Sequence, residues 1–103
     1  MHLLSAQDQV AARDAFIQAQ NEYLQSLNLD FYQNKQYQIL TRNFDKQVMK
    51  INVSNIPDAV KKKRIKKLKK EKDKQMKLLL DSRQYKLYVR RQKVIDKTLS
   101  ADW

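Results

Sequence analysis

The chain has no cysteine and no glycine, one proline (Pro57), one histidine (His2) and one tryptophan (Trp103) in 103 residues. Without cysteine there is neither a disulfide framework nor thiolate chemistry, although that alone leaves the compartment open. Without glycine no glycine-rich phosphate loop can be built. Two-residue β-turns, which need φ > 0, lack their usual residue as well. His2 stands beside the first residue, and no His–carboxylate cluster has ligand spacing, so no zinc, copper or nickel site is expected. No catalytic residue and no cofactor are expected either: the serines pair with no histidine, and an enzyme is disfavoured. Apolar runs are short, with Leu78-Leu79-Leu80 among the longest, far below membrane-spanning length.

Good helix formers fill the space these absences leave. Gln, Lys, Leu and Ala abound, and an all-α fold of one small domain follows. Leu, Ile, Val and Phe together supply 27 residues, enough to exceed a disordered composition. Mean hydropathy is −0.82, however, so the core is expected to be thin. Self-association is the usual remedy.

Four helices are legible. The first spans about 6–27, with Val10, Phe16, Ile17, Tyr23, Leu24 and Leu27 as its apolar members. The second covers about 31–53, where Tyr37, Leu40, Phe44, Val48 and Ile51 mark one buried face. Ser54-Asn55-Ile56-Pro57-Asp58 is a break in which Asn55 can cap and Pro57 can sit in a first turn. The third helix then runs from about 56 to 79, with sparse apolar content and charge almost everywhere else. The fourth opens at Asp81 and runs to about 99, along Tyr85, Tyr88, Gln92, Ile95 and Leu99. Residues 1–6 admit two readings. They resemble the tail of a secretory signal with a small-residue cleavage site after Ala6, or Ser5 simply caps the first helix with Asp8 at its third position.

Charge is distributed unevenly. Residues 1–60 hold 5 basic and 6 acidic side chains, while residues 61–103 hold 17 basic and 5 acidic ones. Excess on that scale recruits acidic partners. Arg42, Lys46 and Lys50 repeat every fourth residue on the second helix, and Lys86, Arg90, Lys93 and Lys97 form a similar row on the fourth. The third carries the dense block Lys61, Lys62, Lys63, Arg64, Lys66, Lys67, Lys69 and Lys70. If the three rows faced one side, they would make a positive concavity bordered by apolar seams; facing outward, they would be a solvated exterior. The interleaved aromatics, Tyr37, Phe44, Tyr85 and Tyr88, have core spacing first and stacking potential second.

The pentad Leu-Asp-x-x-Gln occurs twice, as Leu29-Asp30-Phe31-Tyr32-Gln33 and as Leu80-Asp81-Ser82-Arg83-Gln84. Each copy is a capping box: the Asp accepts from the amide three residues on, and the Gln at that position reaches back to the cap's own amide. Two boxes with the same leading Leu suggest a duplicated hairpin plan. With this spacing, a long helix after the first copy and Gln84-Tyr85-x-x-Tyr88 in the second, the chain resembles the Spy/CpxP family. That family is known by two LTxxQ motifs about fifty residues apart; here Asp replaces Thr at Asp30 and Asp81, and the capping physics survives the exchange.

The resemblance covers roughly residues 25–97. It implies four helices in an open cradle or helical hairpin arrangement, paired as an antiparallel homodimer in the bacterial periplasm. It further implies ATP-independent holding of unfolded or partly folded proteins, or damping of an envelope-stress sensor kinase. On that basis the basic rows above are the expected client contacts, joined by Phe44, Met49, Ile65, Leu68 and Met76 at the edges of the apolar seams. The metal-ligand sets of some relatives are lacking here. The competing expectation is a nucleic-acid-binding module that lays 61–77 along phosphates; scarce arginines and the lack of a groove-reading motif weigh against it. A basic helix on anionic lipid is the third, with too narrow an apolar face for deep insertion.

Overall fold

The structure, a computed structural model, describes residues 6–100, with side-chain surroundings for residues 6–97. His2, Ser5, most of the candidate leader remnant (residues 1–6), the Leu99 side chain and Trp103 lie outside the described residues. The fold is all-α: α1 (Ala6–Leu27), α2 (Phe31–Asn52), α3 (Asp58–Leu79) and α4 (Ser82–Ser100), with no strand among the described residues. Among the described residues, no helix is long and apolar enough to cross a membrane.

The described residues fall into two compact units. One joins α1 to the part of α4 beyond Lys86, and its buried apolar residues are Tyr23, Leu27 and Tyr88. α1 buries only its C-terminal half; Val10, Phe16 and Ile17 remain 46–49% exposed. Asn28 ends α1 at φ 51, and its amide donates to the Gln25 carbonyl at 3.1 Å. In a chain without glycine, asparagine is the residue that reaches the left-handed region most cheaply. Asn28→Ala is therefore expected to cost about 1 kcal/mol in a urea melt and Asn28→Gly almost nothing. Equal stability of the alanine and glycine variants would refute this account of the turn.

The second unit, Asp30–Lys86, contains α2, α3 and the first turn of α4. α2 and α3 form an antiparallel hairpin. Tyr37, Ile65, Met76 and Leu80 are its buried apolar residues, each 7% exposed or less. At roughly 1.5–3 kcal/mol per side chain, so small a core leaves much to the helix ends. Its loop differs from the sequence expectation. α3 begins at Asp58, Pro57 occupies the N-cap with φ −59 and ψ 146, and no side chain caps the helix. A proline disfavours helical geometry in the residue before it, so Ile56 cannot be a first helical residue and Asn55 lies too early to cap. The Pro57 carbonyl instead accepts from the Val60 and Lys61 amides at 3.0 and 3.1 Å. At the other end of α3, Leu80 is extended (φ −95, ψ 150), which stops the helix and sets up the next cap.

Candidate functional site

The two capping boxes both form, and they meet. Asp30 accepts from the Gln33 amide at 2.7 Å while the Asp30 amide donates to Gln33 Oε1 at 3.1 Å. Asp81 and Gln84 repeat the arrangement at 2.7 and 2.9 Å. Gln33 Nε2 then donates to Gln84 Oε1 at 2.9 Å, and Gln84 Nε2 donates back to Gln33 Oε1 at 3.2 Å. A further bond runs from Gln33 Nε2 to the Leu79 carbonyl at 3.1 Å. Each Gln oxygen thus takes one backbone amide and one side-chain amide, which uses both its lone pairs and fixes which way each group points. Gln84 is 4% exposed, so the pairing is shielded from water. It ties the start of α2 to the end of α3 and the start of α4. Leu29 and Leu80 lead the two boxes; Leu80 is buried and Leu29 half-buried.

The opposite end of the hairpin is held by Lys61, which is half-buried and donates from Nζ to the Asn52 carbonyl at 2.9 Å. A cation on the carbonyl end of α2 also suits that helix's dipole. Lys61 is therefore a clamp within the fold.

Between these fastenings a trough runs along α2 and α3. One cavity of about 310 Å3 lies over Leu40, Phe44 and Leu68, with Asn43 and Gln75 at its edge. A second, of about 440 Å3, lies over Ile51 and Leu68, with Lys50, Arg64 and Lys67 around it. Gln47, Leu68 and Glu71 line both, so the two are continuous. Phe44 is half-buried, and Lys72 sits over its ring with Nζ 4.1 Å from the centroid, a cation–π contact. The side chains of Lys50, Arg64 and Lys67 make no hydrogen bond or ion pair among the described residues. One end of the trough thus carries three uncompensated cations; Glu71 is the acid between the two halves.

No family model, curated protein or solved structure matches this chain.

The expected site residues separate into groups. Lys50, Arg64, Lys67, Phe44 and Leu68 come together in the trough. Ile65 and Met76 are 4% and 0% exposed; they are core, and the expectation that they touch clients is corrected. Both lie on the buried face of α3, so their apolar character is spent on the hairpin itself. Met49 is 67% exposed on the outward face of α2 with Arg42 and Lys46, outside the trough. Lys62, Lys63, Lys66 and Lys70 are exposed around α3, and Lys69 is half-buried. A helix turns about 100° per residue, so a dense basic block cannot face one side. Lys86, Arg90, Lys93 and Lys97 are all exposed, opposite the buried Tyr88 on α4.

Two cations outside the expected rows also have defined places. One is Lys72 on Phe44. The other is Arg91, half-buried in the α1–α4 unit, with Nε donating to Gln20 Oε1 at 2.9 Å and its guanidinium 5.3 Å from the Phe16 ring centroid. The i, i+3, i+7 run Phe44, Gln47, Ile51 was the available signal for the trough. What sequence could not supply was the facing helix. No group of three or more metal-binding side chains occurs among the described residues.

Proposed function

We propose that this chain is an ATP-independent chaperone of the Spy/CpxP kind, holding unfolded or partly folded polypeptides in the bacterial periplasm. The observation that carries the reading is the α2–α3 trough, where Leu40, Phe44, Ile51 and Leu68 adjoin three cations that make no hydrogen bond or ion pair among the described residues. Long-range attraction from a chain of net charge +11 speeds encounter with acidic, unfolded segments. Leu40, Phe44, Ile51 and Leu68 then offer apolar contact over a shallow surface, which favours loose capture and ready release. Such a cycle requires no nucleotide. The duplicated Leu-Asp-x-x-Gln motif, with both caps formed, supports the family reading. Nucleic acid fits this trough less well, because its floor is apolar and Glu71 would face the phosphates.

The test is light scattering from a chemically denatured acidic model client diluted into buffer. With the chain in molar excess, scattering is expected to fall, and the effect to weaken as salt is raised. Scattering that is unchanged at low salt and molar excess rejects a holding activity.

A further inference from the structure

We infer that the α2–α3 trough is a helix-in-groove site whose preferred occupant is a short acidic amphipathic helix of about three turns. The inference rests on the holding function proposed above and specifies which client segments are recognised.

The length follows from the geometry. The trough extends from Leu40 to Ile51 on α2 and from Arg64 to Gln75 on α3. Eleven steps of helix cover about 17 Å, so an occupant of about 12 residues spans it.

The secondary structure follows from what the walls lack. Both walls are α-helices, whose mid-helix backbone groups are already paired, so they offer no ladder to an extended chain. A strand laid there would leave its own amides and carbonyls unmatched wherever it met the apolar floor. A helix satisfies its backbone internally and presents a stripe at i, i+3, i+4 and i+7 to Leu40, Phe44, Ile51 and Leu68.

The charge follows from the cations. Lys50, Arg64 and Lys67 converge at the end near the α2–α3 loop with no partner among the described residues, against Glu71 alone. The occupant's carboxylates therefore gather at that end, and its apolar residues lie toward Leu40, Leu68 and the part of Phe44 that Lys72 leaves uncovered. A second copy of the chain is the weaker occupant. Its one acidic helix, α1, brings only Asp8, Asp14 and Glu22 against Arg13, and the remainder of that copy is strongly basic.

The experiment titrates the full chain, followed by amide chemical shifts, with three 12-residue peptides. One is amphipathic, with three glutamates grouped toward one end of its polar face; one has the same composition scrambled; one carries lysine in place of glutamate. The first is expected to bind about tenfold more tightly than the scramble, with shifts confined to α2 and α3, and the lysine peptide not to bind. Equal binding of amphipathic and scrambled peptides, or shifts centred elsewhere, overturns the inference. So does sedimentation showing that a second copy occupies the trough at the same concentrations. If aggregation is still suppressed while no peptide prefers the trough, this inference fails alone; if neither occurs, the holding function fails with it.

Discussion

Reversing the three cations at the loop end of the trough, Lys50→Glu, Arg64→Glu and Lys67→Glu together, is expected to abolish suppression of an acidic client's aggregation. The three side chains are exposed and make no hydrogen bond or ion pair among the described residues, so helix content by circular dichroism should change little. The change moves the trough by six charge units and leaves three carboxylates beside Glu71, which would repel an acidic segment. Close charge pairs at interfaces couple by about 1.5 kcal/mol or more, so three reversals exceed a tenfold loss of affinity. A control reversal of Arg42, Lys46 and Arg90, which lie outside the trough and are equally exposed, should leave most of the activity in place. If both triple variants lose activity equally, net charge rather than the trough is responsible. If neither loses it, the trough has been misread.

The second large effect concerns the joined caps. Gln84→Ala removes a buried side chain that accepts from the Asp81 amide and from Gln33 and donates back to Gln33. Losing a cap costs about 1 kcal/mol, and leaving buried amide groups without partners costs about 1–3 kcal/mol more. For a chain of this size, the sum corresponds to a fall in melting temperature of very roughly 10–20 °C. Gln33→Ala alone should cost less, because Gln33 is only half-buried. The double variant carries the decisive information. If the two glutamines act as a pair, the single losses will sum to more than the double loss by about 1 kcal/mol. Strict additivity would mean that each box works alone and that the reciprocal amide contact contributes nothing. Gln84→Glu is a useful contrast: it keeps the acceptor for Asp81 but sets a carboxylate oxygen against Gln33 Oε1.

Much of the fold was legible because its determinants are local. The capping physics of Asp30 and Asp81 acts over three residues, and the stripe of Tyr37, Phe44 and Ile51 lies within one helix. Both therefore survive from sequence to structure, as do the bounds of α1. The start of α3 was misplaced because proline's restriction of Ile56 outweighs the capping potential of Asn55. The site was half legible. Lys50, Arg64, Lys67, Phe44 and Leu68 were among the expected contacts, but so were Ile65 and Met76, which the hairpin buries. Charge and hydrophobicity along one strand of sequence cannot say which side of a helix its neighbour covers. For the same reason the sequence paired each glutamine only with its own cap and did not reveal that Gln33 and Gln84, 51 residues apart, bond to each other.

That last contact has a consequence for where the chain can work. The clasp between Gln33 and Gln84 is built from neutral carboxamides, which neither take up nor lose protons in ordinary aqueous conditions and are not weakened by dissolved ions. The loop end of the trough is the opposite, lined by exposed ammonium and guanidinium groups whose reach shrinks as electrolyte rises. A rise in salt should therefore shorten the reach of those cations without weakening the Gln33–Gln84 clasp. The fastening of the hairpin and the charge of its trough thus rest on chemically separate groups.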